Sequence, residues 1–337
     1  VCRSGAKGET LATSLDYFPR NPGTKTNGTI EVARTSAGQS IAIPFVKIDG
    51  ASNGPTLVVN GAMHGTEIIG TAAISRLYKR SDPSQVSGRV IGVPILSVWA
   101  FEAENRLPTI FDHYDIEQVF PGQLNGSITE RLAYVFTSAI ASEADYLIDM
   151  HGQDQYWQPT RAAIAPMPEI VGTDLYEKCL GLANAFGVNQ VWRIKKPGNI
   201  AEVIMQKKSI PAISTEFGGV ADFTKTEGYL RDATNGLENV MRHLGMMTGE
   251  TREMTSSPQI MDLHDVRNKN GGMWWTEARV GDSVRKDQEL GTISDPITGD
   301  VIESIRSPLD GELALVWCLP MIKPGSSAIG VGEIVER

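Results

Sequence analysis

Five histidines occur in 337 residues, and two of them stand beside other strong metal ligands. His64 and Glu67 are three positions apart in Gly61-Ala-Met-His-Gly-Thr-Glu67. His151 lies in Ile148-Asp-Met-His-Gly152, and Glu216 in Thr215-Glu-Phe-Gly-Gly219. Two imidazoles and a carboxylate suit a catalytic zinc ion, which takes three protein ligands and keeps a fourth position open. Zinc lowers the pKa of water to about 7, so a neighbouring carboxylate can act as general base. The expected set is one zinc per chain on His64, Glu67 and His151, with Glu216 as the base. Co²⁺ or Mn²⁺ would suit the same donors. Asp149 is placed to support His151 from behind, because a ligand histidine needs an acceptor for its other nitrogen.

Each residue alone has a plainer explanation. A single His-x-x-Glu is a weak motif, a lone histidine can be a satisfied core residue, and Glu216 could bond backbone amides. Their common position argues otherwise, since each follows an apolar run that reads as a strand. In open α/β sheets ligands bind outside the carboxyl ends of strands.

Ile41 to Val46, Thr56 to Val59, Arg89 to Val98, Ala144 to Met150 and Ile210 to Thr215 read as strands. Glu67 to Tyr78, Thr129 to Glu143, Leu175 to Phe186, Asn199 to Lys207 and Tyr229 to Leu244 read as helices. The first 35 residues are polar, with turn signals at Asn21-Pro-Gly23 and Asn27-Gly28. Residues 102–127 form a long irregular stretch, the kind of loop that usually serves a function. Alternating strands and helices imply an α/β domain over 1–250 whose mixed sheet is flanked by helices. Residues 251–337, with short strand-like pieces between Gly and Pro turns, imply a C-terminal all-β domain.

The net charge of −9 argues against nucleic-acid or anionic-membrane partners, which call for basic surfaces. No apolar run approaches the ~20 residues that span a bilayer. A small-molecule substrate is the expected partner, with self-association left open. Three scattered cysteines form no CxxC pair, which excludes a cysteine-rich zinc site. Cytoplasm is the favoured compartment, since an odd, sparse set of cysteines is the usual pattern of a reducing one, while a start at Val1 leaves the question open. A secreted location is the alternative that the sequons Asn27-Gly-Thr29 and Asn125-Gly-Ser127 would serve.

Together with Phe120-Pro-Gly122, these motifs resemble the succinylglutamate desuccinylase/aspartoacylase family, whose fold is zinc carboxypeptidase-like. The resemblance runs from about residue 40 to the C-terminus. It implies zinc on His64, Glu67 and His151, Glu216 as base and proton shuttle, and hydrolysis of an N-acyl amide. It also implies an arginine that polarises the scissile carbonyl, for which Arg106 is the candidate. One motif departs. The family usually reads Asp-Leu-Asn-Arg before Phe-Pro-Gly, and its Asn-Arg pair clamps a substrate carboxylate. This chain has Asp115-Ile-Glu-Gln118, so Glu117 and Gln118 stand in the clamp. A carboxylate there would repel an anionic group, where a guanidinium fork would bind it. Either the substrate carries a neutral or cationic group at this point, or Glu117 points away and Arg161 clamps instead. Tyr156 and Trp157 are candidates for an aromatic pocket wall. The C-terminal segment resembles a biotinyl/lipoyl-like module. It has no acceptor lysine between Gly291 and Pro320, so a lid or assembly surface is expected rather than a swinging arm. Two rivals remain at this point: a zinc Lewis-acid enzyme for an elimination, rearrangement or retro-aldol step, and a non-catalytic binding protein on a hydrolase scaffold.

Overall fold

The computed structural model describes residues 17–106, 111–194, 209–219, 225–250 and 257–336. Its spine is a 12-stranded mixed sheet. The first nine strands are β1 (Thr24–Arg34), β2 (Ser40–Asp49), β3 (Ser52–Gly61), β4 (Ser87–Val93), β5 (Tyr146–Gln153), β6 (Thr160–Pro166), β7 (Gln190–Ile194), β8 (Ala212–Gly219) and β9 (Gln259–Arg267). The C-terminal seven are β10 (Gly272–Trp275), β11 (Ser283–Val284), β12 (Glu289–Ser294), β13 (Val301–Arg306), β14 (Gly311–Val316), β15 (Met321–Ile322) and β16 (Ser327–Glu336). The large sheet runs β1-β2-β4-β3-β5-β8-β6-β7-β9-β16-β14-β11, and a smaller one runs β13-β12-β10-β15.

At the centre, β3 is parallel to both β4 and β5, and β5 is parallel to β8. Leu57, Val58 and Val59 are fully buried on both faces of β3. Such continuous burial is what a parallel strand under helical cover requires. The helix Ile68–Arg80 buries Ile69, Ala73, Ile74 and Leu77, an i, i+4 stripe, and closes with Lys79 and Arg80. It packs beside Thr226–His243, and Arg76 forks onto Glu227 at 2.9 and 3.1 Å.

Three elements differ from the sequence reading for local reasons. The strand expected over Arg89–Val98 ends at Val93, because Pro94 cannot continue a ladder, and Val98–Glu102 turns helical. The helix expected over Thr129–Glu143 begins at a Ser127/Glu130 capping box but is α-helical only to Val135. A π turn (Phe136–Ile140) and a 3₁₀ turn (Ala141–Glu143) follow. There Ser138 and Ser142 donate to the carbonyls of Tyr134 and Ser138, competing with the helical ladder. The polar N-terminal stretch contains β1. Asn27-Gly28, read as a turn, lies inside that strand with Gly28 against the Phe45 ring.

The sheet also crosses the expected domain boundary at residue 250. β9 pairs parallel with β7 and antiparallel with β16, so the C-terminal strands extend the same sheet. They enclose a separate apolar cluster that includes Trp274, Leu290, Ile293 and Val331. The helix expected over Asn199–Lys207 lies outside the described residues.

Candidate active site

Chain order makes β3 and β5 a switch point. From β3 the chain crosses through Ile68–Arg80 to β4 on one side, then returns to β5 on the other. Their carboxyl ends therefore open into one crevice. His64 and Glu67 lie in the turn after β3. His151 lies near the end of β5, in register with Glu216 of β8. His151 and Glu216 are thus inside their strands rather than past them.

The turn is held from beneath. Leu96 and Ser97 donate their amides to the carbonyls of Gly61 and Ala62. A side chain on Gly65 would come within 2.2 Å of the Ala100 carbonyl and 2.4 Å of Asn105 O. Only glycine lets this turn lie against the segment that leads into Arg106.

One ligand atom from each of His64, Glu67 and His151 lies within 4.8 Å of the others, and all three residues are buried. His64 Nδ1 is 2.7 Å from Glu67 Oε1, and His151 Nδ1 is 3.0 Å from Glu67 Oε2. Glu67 Oε2 is buried and receives no hydrogen bond among the described residues. His151 Nε2 faces Asp149 Oδ2 at 2.9 Å, and Asn60 donates to Asp149 Oδ1 at 2.7 Å. That relay leaves Nδ1 of His151 turned toward Glu67. Buried lone pairs converging without enough donors are what a divalent cation resolves, so the residues present fit a zinc ion.

The electrostatics agree. Burial disfavours charge on His64, but Glu67, Asp115 and Glu117 outweigh it and hold its pKa well above the usual imidazole range. Burial likewise opposes charge on His151, and Asp149 and Glu67 overcome it. Glu67 would be raised by burial, yet the two imidazoles hold it well below the ordinary carboxylate range. The carboxylates pull positive charge into this pocket.

Around this core, Arg106 Nη1 lies 2.6 Å from Glu67 Oε1 and 3.5 Å from Asp154 Oδ2. Burial would lower its pKa, but those carboxylates raise it, so the guanidinium keeps its charge. Glu216 is pushed up to about 7, chiefly by burial, with Glu67 and Glu117 adding to the effect against His151 and Arg106. Gln153 donates to Glu216 Oε2 at 2.8 Å.

The remaining expected residues divide. Glu117 faces inward, with Oε2 3.4 Å from His64 Nε2, and Asp115 Oδ1 is 3.7 Å from the same nitrogen. Gln118 is exposed and its amide meets Asp115 Oδ2 at 3.4 Å. Arg161 is engaged elsewhere: it pairs with Asp232 at 2.5 Å and lies over the Phe217 and Tyr229 rings. Tyr156 and Trp157 meet Trp317, the residue after β14, Tyr156 stacked at 5.4 Å and Trp157 edge-on at 5.2 Å. Gln158 adds three hydrogen bonds to the C-terminal segment: its side chain donates to Ala278 O and accepts from Val280 N, and its backbone amide donates to Val316 O. Sequence reasoning did not single out Asp154 or Gln153 as partners of Arg106 and Glu216. Their only signal was the polar run directly after His151.

Similarity to known proteins follows the same lines. Residues 53–244 match the succinylglutamate desuccinylase/aspartoacylase catalytic domain. The N-alpha-acetyl-L-2,4-diaminobutyric acid deacetylase of Halomonas elongata is 26% identical over 309 residues, which cover 89% of this chain and 88% of the relative. A succinylglutamate desuccinylase/aspartoacylase structure from Rhodobacter sphaeroides is 25% identical with a TM-score of 0.82, covering 92% of this chain and 96% of that one. The product-bound ectoine utilization protein of Ruegeria pomeroyi shares the fold, with a TM-score of 0.85 at 23% identity over 94% of this chain and 97% of that one. With more than half of its length matching the catalytic domain, the chain belongs to the succinylglutamate desuccinylase/aspartoacylase family.

Proposed function

We propose that this protein is a zinc-dependent deacylase that hydrolyses the amide bond of a small N-acyl amine. One observation carries the reading: a buried His-Glu-His donor set with a guanidinium on one side and a raised carboxyl on the other. The Halomonas relative is named for deacetylating a diamino acid, which supports a small N-acyl substrate for this chain. His64, Glu67 and His151 would hold the zinc, one per chain. When bound, zinc supplies Lewis acidity, polarising a carbonyl and making water easier to deprotonate.

The other steps belong to side chains. Glu216 takes a proton from the attacking water, whose oxygen joins the acyl carbon. A carboxyl held near neutrality accepts and releases protons with little penalty. Gln153 donates to one Glu216 oxygen and would leave the other to take the proton. As the carbonyl oxygen gains negative charge, Arg106 donates to it; a guanidinium has five donors, so its contact with Glu67 leaves others free. The C–N bond then breaks, and Glu216 returns its proton to the departing nitrogen. The immediate products are a carboxylic acid and an amine, and the acid's proton then passes to the amine, leaving a carboxylate and an ammonium.

Glu216→Gln should lower kcat by about 10²–10⁴-fold while zinc content stays at one per chain. His64→Ala should lose both zinc and turnover. Near-normal turnover of either variant, measured beside metal content by plasma mass spectrometry, would sink the scheme.

A further inference from the structure

We propose that Glu117 selects the substrate, admitting acyl amines that carry an ammonium group near the scissile amide and rejecting those with a carboxylate there. This rests on the deacylase reading above.

The charge layout at the mouth of the site carries the inference. Four of the charged side chains beside the donor set reach solvent: Arg106 at 32% exposure, Glu117 at 29%, Asp115 at 15%, and Glu216, which is partly exposed. Arg106 already faces Glu67 and Asp154. Asp115 is spent on its own turn: it accepts from the Glu117 amide at 3.0 Å and lies 3.4 Å from the Gln118 side-chain amide. Glu117 is less committed. Its one ion-pair contact among the described residues is Oε2 to His64 at 3.4 Å, and Oε1 makes no hydrogen bond there. Arg106 interacts electrostatically with it but is already tied to Glu67 at 2.6 Å and faces Asp154 at 3.5 Å, and Arg161 is paired with Asp232.

A substrate entering this mouth therefore meets a carboxylate with acceptor capacity to spare, backed by Asp115 and Glu216. An incoming carboxylate would face the like charges of Glu117 and Asp115, which disfavours it. An ammonium brings three donors to the same place and forms charge-assisted hydrogen bonds. Held beside the acyl group, it would also fix which amide reaches Arg106 and Glu216.

The test uses the full-length zinc-loaded protein and three probes of matched length: N-acetylputrescine, N-pentylacetamide and N-acetyl-γ-aminobutyrate. Expected kcat/KM falls in the order ammonium, neutral, carboxylate. Glu117→Gln should shrink the ammonium-to-neutral ratio by about tenfold or more, and Glu117→Arg should reverse the order of the two charged probes. Calorimetry of putrescine, the product amine, should show binding that weakens by a similar factor in Glu117→Gln. Equal turnover of all three probes, or a ratio untouched by Glu117→Gln, overturns the inference and leaves the deacylase reading intact. If no acyl probe is hydrolysed but putrescine binding still depends on Glu117, the deacylase reading fails and cation recognition stands. Absence of both turnover and Glu117-dependent putrescine binding overturns the inference.

Discussion

His64 meets carboxylates through both ring nitrogens, with Glu67 on Nδ1 and Asp115 and Glu117 near Nε2. One side chain thus couples the proposed metal position to the proposed recognition position. Gln153 makes a narrower claim. If its amide only orients Glu216, Gln153→Ala should lower kcat about tenfold or more and leave KM and zinc content near wild type. A change confined to KM would place Gln153 in substrate binding instead. That His64, Glu67 and His151 come together was legible from their residue types and their common place at strand ends, though each alone has a plainer reading. Asp154 was not readable. Its role depends on the distance to Arg106, 48 positions earlier, which only the folded chain sets.

Among the elements, the long amphipathic helices were plain from their apolar spacing, and Thr173–Phe186 and Thr226–His243 lie within three residues of their expected ends. What the pattern hid were elements whose local signals conflict. β1 carries an Asn-Gly that looks like a turn, and only its pairing with β2 holds it extended. The π turn after Val135 arises from serine back-bonding inside an otherwise helical pattern. The turns that hold the site make a sharper prediction. A Cβ on Gly122 would lie 2.2 Å from Tyr134 N, and one on Gly65 equally close to Ala100. Gly122→Ala and Gly65→Ala should each destabilise by about 1–3 kcal/mol in urea unfolding, since backbone on the far side cannot yield cheaply. Gly65→Ala should also cut kcat by moving the segment that carries Arg106. A fully stable and active Gly65→Ala would contradict the packing account. Trp317 joins the C-terminal strands to the loop after His151 by stacking and edge contacts. Trp317→Ala should therefore cost about 2 kcal/mol of stability and reduce activity with the zinc retained.

At the scale of the molecule, one sheet spans both halves of the chain. A fragment ending at residue 250 would bare the β7 edge that pairs with β9, so it should aggregate on expression rather than fold as a unit. A monomeric, thermally cooperative fragment would contradict that. At the other end of the sheet, Asp49 is fully buried among Lys47 at 2.8 Å, Arg89 at 2.8 Å and the Asn21 amide at 2.8 Å. Burial would raise its pKa, but the two cations and the amide bring it below the ordinary value. A depressed pKa adds stability above the unfolded-state value near 4, and that contribution is lost as pH falls through the folded value. Asp49→Asn should cost about 3 kcal/mol at neutral pH and flatten the acid limb of the stability profile. An acid limb identical to wild type would assign the effect to other carboxylates. In the described residues no helix is long and apolar enough to cross a membrane. The chemistry proposed for this chain lies in the crevice over β3, β5 and β8. The central claim is that this chemistry is hydrolysis of an N-acyl bond. It is tested most directly by mass spectrometry of the released acid after turnover of an N-acyl amine by the zinc-loaded protein in ¹⁸O-labelled water. The account predicts one solvent oxygen in each carboxylate formed, at a rate that falls with Glu216→Gln. An acyl product without solvent oxygen would contradict it.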